Sequence, residues 1–366
     1  MPRREGKSVI RTGYEIFADG SALELIRISN NELGLVSWNG TSAETAQQFV
    51  RQGKTFAPLE IDPTALRFLR LPESVADHGS TRKLFGDVAA FVSRATQEAD
   101  DVVQMLTFFV FATWLGDRAP SAPPFLWIIT PPTTTWAPLA QVLSILCRRA
   151  LFVNHLSPLG LRSLPTGLGS TLLTEMVSPT KKDMGLLRMS TRHGALLAPG
   201  GQFVDLCRSQ VVFSPEPLRD PPGAGFPLEI VLSPARNYIP LMSAAELESV
   251  ATEFQCKFLH YRFVNLMKVH APAFGLDQFT APMRGLACSL GACIVNDDDL
   301  GGATRSLDRA SRWRSPDRTL VIIDSYLPRG SSCSMPHRHG EIFPGYRSDR
   351  RHKHDPEISW RTRSLA

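Results

Sequence analysis

Between an apolar run, "FLWIIT" (125–130), and an amphipathic one, "LAQVLSILCRR" (139–149), stand eight residues placed where phosphate chemistry is commonly done: Pro131, Pro132, Thr133, Thr134, Thr135, Trp136, Ala137 and Pro138. A phosphate-binding turn of this kind reads GxxxxGK[ST]. Its backbone N–H groups surround the phosphates, its lysine reaches the β/γ-phosphates, and its hydroxyl holds magnesium. Laid over that pattern, every demanding position of this chain fails. Pro131 and Pro132 carry no N–H, and Trp136 stands where a glycine lets the backbone approach. Ala137 has no charge and Pro138 no hydroxyl. Pro138 nevertheless suits the first turn of the following helix, where a missing donor costs nothing. The turn serves the fold and not a triphosphate.

Other groups capable of chemistry are scattered. The pairs His337/His339 and His352/His354 have the i, i+2 spacing of metal ligands, but they lie in an arginine-rich, aperiodic tail and read as solvated polar residues, so no metal site is expected. His155, His193, His260 and His270 stand singly, and no GxSxG nucleophile elbow accompanies them, which leaves hydrolase chemistry without support. The six cysteines, Cys147, Cys207, Cys256, Cys288, Cys293 and Cys333, form no CxxC pair and read as reduced core thiols. Arg148 and Arg149 close a helical run, where cations complement the C-terminal dipole.

The elements that must position the turn follow from periodicity. Residues 7–72 contain short alternating runs, "SALELIRIS", "LGLVSW" and "ALRFLRL", separated by turn signals, which predicts a β-rich N-terminal module over 1–75. From Lys83 apolar residues recur at three- and four-residue spacing through two helices ending near Gly116. The apolar run "FLWIIT" has the character of a strand buried on both faces. Further strands are expected at 150–156, 170–176, 194–200, 209–215 and 227–234. Ser243 and Glu246 form a capping box that opens a long helix, and "RGLACSLGACIV" suggests another. The pattern predicts an α/β domain over 83–296 and a basic, partly disordered tail over 297–366.

The order of these segments resembles the helicase-like P-loop ATPases of phage and plasmid primase–helicase genes, relatives of the AAA+ proteins. In that family a helical "ATW" segment precedes an apolar strand and the loop, as in "FATWLGDRAPSAPPFLWIITPPTTTWAPLAQVLSILCRRALFV" here. The resemblance spans about residues 85–295 and implies a P-loop NTPase-like parallel sheet, flanking helices and a helical lid from residues 244–269. It places the family's magnesium-binding Asp-Glu pair on "STLLTEM", with Thr174 at the aspartate and Glu175 at the glutamate, so Glu175 is the one catalytic candidate. It puts a polar sensor near Ser190 and Thr191, and Phe226 at the position of an arginine that reaches a neighbour's γ-phosphate, with Arg219 and Arg236 nearby. Lys181, Lys182, Arg188 and Arg192 fall where such ATPases carry DNA-facing loops.

Composition bounds the remaining choices. The chain has 366 residues, 43% of them hydrophobic, enough for a sizeable core. Its formal charge of +5 is carried by the tail, where residues 301–366 hold 13 Lys/Arg against 7 Asp/Glu. A basic tail can hold nucleic acid, although most are simply solvated. "MPRREGKSVIRTGYEIFADG" turns polar at once, which argues against a secretory signal, and "VVQMLTFFVFATWLG" is shorter than a membrane span, so a cytoplasmic protein is expected. Three readings follow. The first is an inactive ATPase-like scaffold, needing no cofactor and partnered by nucleic acid or a homologous ATPase subunit. The second is an active helicase-like ATPase with a divergent loop, using ATP and magnesium. The third is an unrelated α/β binding protein.

Overall fold

The computed structural model describes residues 9–300, apart from 30–31, 120–122, 133, 155–156, 158–159, 162–163, 166, 192–193, 195, 198–203, 219–227, 235–237, 271–280 and 298–299. Seven short strands come first: β1 (Val9–Thr12), β2 (Tyr14–Ile16), β3 (Ala22–Ser29), β4 (Glu32–Trp38), β5 (Ala43–Ala46), β6 (Phe49–Arg51) and β7 (Lys54–Pro58). They form an antiparallel sheet β2-β3-β4-β5 and a three-stranded sheet β1-β7-β6. The β6–β7 turn is Gln52-Gly53 between the paired Arg51 and Lys54; both turn residues have positive φ, the backbone hand that matches a two-residue hairpin.

The run "ALRFLRL" departs from its strand-like alternation. Residues Pro63–Phe68 form helix α1, because Asp62 caps it by accepting from the Thr64 and Ala65 N–H groups at 2.8 and 3.3 Å and Pro63 starts it with φ already set. Start signals outweigh alternation over so short a run.

The rest of the described chain runs α2 (Thr81–Thr96), α3 (Asp100–Leu115), β8 (Phe125–Ile129), α4 (Ala137–Leu146), β9 (Ala150–Phe152), β10 (Thr171–Glu175), α5 (Lys181–Ser190), the two-residue strands β11 (Leu196–Leu197) and β12 (Val204–Asp205), β13 (Gln210–Ser214), β14 (Leu228–Val231), α6 (Ala244–Asn265) and α7 (Ala281–Gly291). Five of these strands form one sheet in the order β14-β8-β13-β10-β9, and all its pairings are parallel. This is an α/β fold with a P-loop NTPase-like parallel sheet and flanking helices, preceded by a β-rich region. The parallel sheet and the strand-to-helix turn that the resemblance requires are both present.

Burial on two faces explains the continuous apolar strands. On β8, Leu126 and Ile128 join the core beneath α2, α3, α4, α6 and α7, whereas Phe125 and Trp127 face a second core with Leu186 and Leu187 of α5 and Leu66 of α1. Strand β3 divides in the same way: Ala22 and Ile26 enter the first core, Leu23 and Leu25 the second. The N-terminal strands therefore share their cores with the parallel sheet. Helix α3 is buried from Met105 to Leu115 on every side, as expected of an apolar helix too short to span a bilayer. Among the described residues, no helix is long and apolar enough to cross a membrane. Helix α6 begins with the Ser243–Glu246 capping box and lies on α3 and α4, with Phe258 stacked on Trp114 at 5.3 Å.

Candidate functional site: the turn after the first parallel strand

In an open parallel sheet, ligands bind beyond the carboxyl ends of strands where successive connections leave in opposite directions. Strands β8 and β13 are neighbours, yet the chain leaves β8 for the β9 edge and leaves β13 for the opposite edge at β14. The turn 130–136 stands over that crevice. Its backbone is fastened to the sheet: the Thr130 N–H and hydroxyl both donate to the Ser214 carbonyl, at 2.8 and 3.2 Å. The Thr134 N–H then donates to the Pro131 carbonyl at 2.8 Å, closing a tight turn.

Trp136 dominates the site. It is the residue before α4, in a near-helical conformation and without a side-chain cap. Its ring lies flat on Phe152 of β9, centroids 5.3 Å apart and planes within 7°, and on Phe213 of β13 at 5.1 Å. Its indole N–H donates to Glu175 Oε1 at 3.2 Å. The indole therefore ties together the ends of three neighbouring strands, β9, β10 and β13. Pro138 is buried in the first turn of α4, and the Ala137 N–H faces the Thr135 hydroxyl at 3.4 Å. Trp136 is thus committed to packing at the start of α4.

The candidates taken from the sequence separate accordingly. Glu175 sits at the end of β10, half-buried and hydrogen-bonded to Trp136. Thr174, one residue earlier, is buried, and its hydroxyl has no partner among the described residues; the Thr134 hydroxyl is likewise buried and unpartnered. Pro131, Pro132 and Thr135 lie in the turn and Ala137 and Pro138 open α4, whereas Thr133 lies outside the described residues. Ser190 and Thr191 do not occupy a sensor strand. They end α5, and their hydroxyls turn back to the Leu187 and Arg188 carbonyls at 2.7 and 3.0 Å, since serine and threonine near a helix end readily satisfy its free carbonyls. Phe226, Arg219 and Arg236 lie outside the described residues. Lys181, Lys182 and Arg188 are exposed on α5, which Thr180 and Asp183 open with a capping box; Arg192 lies outside the described residues.

Sequence reasoning missed Ser214, Phe152 and Phe213 as parts of this crevice, because only strand order brings them beside Trp136. It also missed a buried ionic cluster. Arg148 and Arg149 do not complement a helix dipole: α4 ends at Leu146, Cys147 is its cap, and both arginines turn inward. Glu24 of β3 accepts from Arg148 at 2.7 Å, Arg149 at 2.5 Å and Arg262 of α6 at 2.5 Å, and Asp117 accepts from Arg262 at 2.6 Å. The Tyr14 ring lies 4.8 Å from the Arg148 guanidinium. Burial by itself raises a carboxyl pKa, but Arg262 and Arg148 outweigh it and hold Asp117 down at about 2; the guanidiniums around Glu24 lower that carboxyl in the same way. A glutamate inside "SALELIRIS" was the available signal, since a strand buried on both faces has no room for an unpaired carboxylate.

No protein-family model matches the chain, and no curated protein matches it in sequence. Among solved structures it is similar to a full-length MCM homolog from Methanopyrus kandleri, with TM-score 0.39 and 12% identity over 79% of this chain and 76% of that one. It is also similar to the C-terminal region of NrS-1 in an apo form, with TM-score 0.35 and 8% identity over 65% of this chain and 66% of that one. The fold assignment rests on the strand order and the turn described above.

Proposed function

We propose that this chain is an ATPase-like protein that does not hydrolyse nucleotide and acts as a scaffold or a nucleic-acid-associated subunit. One observation carries the reading: the Trp136 indole occupies the ends of β9, β10 and β13, stacked on Phe152 and Phe213 and hydrogen-bonded to Glu175. Phosphoryl transfer depends on positioning and on charges aimed at the transferring group. The supporting facts are the absence of an N–H at Pro131 and Pro132, of a charge at Ala137, of a hydroxyl at Pro138 and of a carboxylate at Thr174. Calorimetric titration with magnesium ATP tests the proposal. No saturation up to roughly millimolar ligand is expected, and micromolar affinity (about −8 kcal/mol) would sink it.

A second reading, a nucleotide-binding ATPase with a divergent loop and magnesium, draws support from the buried unpartnered hydroxyls of Thr134 and Thr174, which a ligand in the crevice could satisfy. The same titration decides between the two. For nucleic acid, the exposed Lys181, Lys182 and Arg188 of α5 are the proposed contacts. Replacing all three with alanine should weaken binding to single- or double-stranded DNA and flatten its salt dependence. Binding that persists with the same salt slope removes α5 from the proposal, and deletion of residues 331–366 tests the basic tail in the same assay.

A further inference from the structure

Residues 72–80, "PESVADHGS", lie along α6 and are fastened to it at two places one helical turn apart. The Ala76 N–H donates to the Cys256 carbonyl at 3.2 Å, and the His78 N–H donates to His260 Nδ1 at 3.2 Å. At the second place the two imidazoles meet edge to edge, Nδ1 to Nδ1, at 2.9 Å. The Asp77 carboxylate, turned back by its hydrogen bond from the Gly79 N–H at 2.9 Å, stands 3.4 Å from the same His260 nitrogen. Gly79 has φ +71°, which permits that reversal. All three donor atoms lie within 4.8 Å of one another. Aromatic neighbours hold the rings: Tyr261 meets His78 edge-on at 5.3 Å, Trp38 meets His260 at 5.9 Å, and the Tyr261 hydroxyl is fixed on the Cys293 carbonyl at 2.7 Å.

We propose that Asp77, His78 and His260 form a binding site for a divalent transition-metal ion of the zinc class, which fastens the 72–80 segment to α6. Two imidazole nitrogens and one carboxylate oxygen are the donor set such ions take, and water completes the shell on the exposed Asp77 side. A tetrahedral site with bonds of about 2.0–2.1 Å separates its ligand atoms by roughly 3.3 Å. The His78–His260 and His260–Asp77 separations bracket that value, and all three donor atoms lie within 4.8 Å of one another, so the exposed Asp77 carboxylate closes the site by moving toward His78. Without an ion, two like nitrogens at 2.9 Å are compatible only if one carries a proton toward the other. Metal binding through both Nδ1 atoms shifts that proton to the Nε2 of the same ring and takes the His260 lone pair from the His78 amide.

The full chain, stripped with chelator, is titrated with zinc sulfate by calorimetry, and cobalt(II) is added in parallel to read its visible ligand-field bands. Because other histidines and cysteines also take zinc, the measured quantity is the difference between variants. The wild type is expected to bind one equivalent more than His260→Gln, with cobalt bands that the variant lacks. Asp77→Asn, at a fully exposed carboxylate, should weaken that equivalent at least about tenfold. Equal stoichiometry and affinity in wild type, His260→Gln and Asp77→Asn would overturn the site. Should His260→Gln fail to fold by circular dichroism, Asp77→Asn decides alone, and unchanged zinc affinity there overturns the proposal.

Discussion

Glu24→Gln is the most informative single change, because it leaves shape nearly intact and removes one charge from the centre of the buried cluster. The carboxylate is 3% exposed, with one oxygen between Arg148 and Arg262 and the other on Arg149. In the wild type three guanidiniums face two carboxylates; in the variant Asp117 alone opposes them. The glutamine oxygen accepts at one side only, and its amide turns N–H donors toward a guanidinium. Breaking a buried ion pair on one side costs about 3–5 kcal/mol, set against a total stability of about 5–15 kcal/mol. At about 2–4 °C per kcal/mol for a domain near this size, thermal unfolding should begin roughly 10 °C earlier. Thermal and urea unfolding followed by far-ultraviolet circular dichroism measures this. The control is Glu60→Gln, whose carboxylate makes an exposed pair with Arg11 at 2.9 Å and should contribute less than about 1 kcal/mol. A Glu24→Gln loss below about 1 kcal/mol would refute the reasoning. It would mean that the Leu168, Gly13 and Trp114 carbonyls already satisfy Arg149 and Arg262.

Three further outcomes are expected. Trp136→Ala removes two ring stacks, each contributing about 0.5–1.5 kcal/mol beyond burial, so urea unfolding should show a loss of about 2–3 kcal/mol; unchanged stability would mean the indole does not hold the crevice. Thr174→Val replaces a buried hydroxyl without a partner by a group of similar shape, so stability should stay level or rise by up to about 1 kcal/mol, and a clear loss would reveal a partner for that hydroxyl. Asp117 is a carboxyl whose folded pKa is depressed to about 2 against an unfolded value near 3.9. Its contribution is therefore complete above about pH 4 and is lost as pH falls toward 2. Asp117→Asn should lower stability at neutral pH and flatten the acid limb between pH 4 and 2, which denaturation at stepped pH will read.

Much of the architecture was legible because its causes are local. The 3.6-residue period of α2, the long apolar run of α3, the capping box at Ser243 and Glu246, and the apolar run of β8 each depend on residues within a few positions of one another. Where local signals conflicted, reading by alternation failed. "ALRFLRL" looks like a strand, but Asp62 and Pro63 begin a helix in it, and Ser190 and Thr191 belong to a helix end.

By itself, the sequence determined most of the element types, a strand-to-helix turn within 131–138 and the absence from it of glycine and lysine. Only the tertiary structure decided what fills that turn and what the isolated charges do. Trp136 finds Phe152, Phe213 and Glu175 through strand order, Glu24 meets Arg148, Arg149 and Arg262 from more than a hundred residues away, and His78 reaches His260 along α6. The physical reason is separation along the chain. Propensity and capping act over a few residues, whereas desolvated ion pairs, aromatic stacks and ligand clusters are made between residues that only the completed core brings within bonding distance.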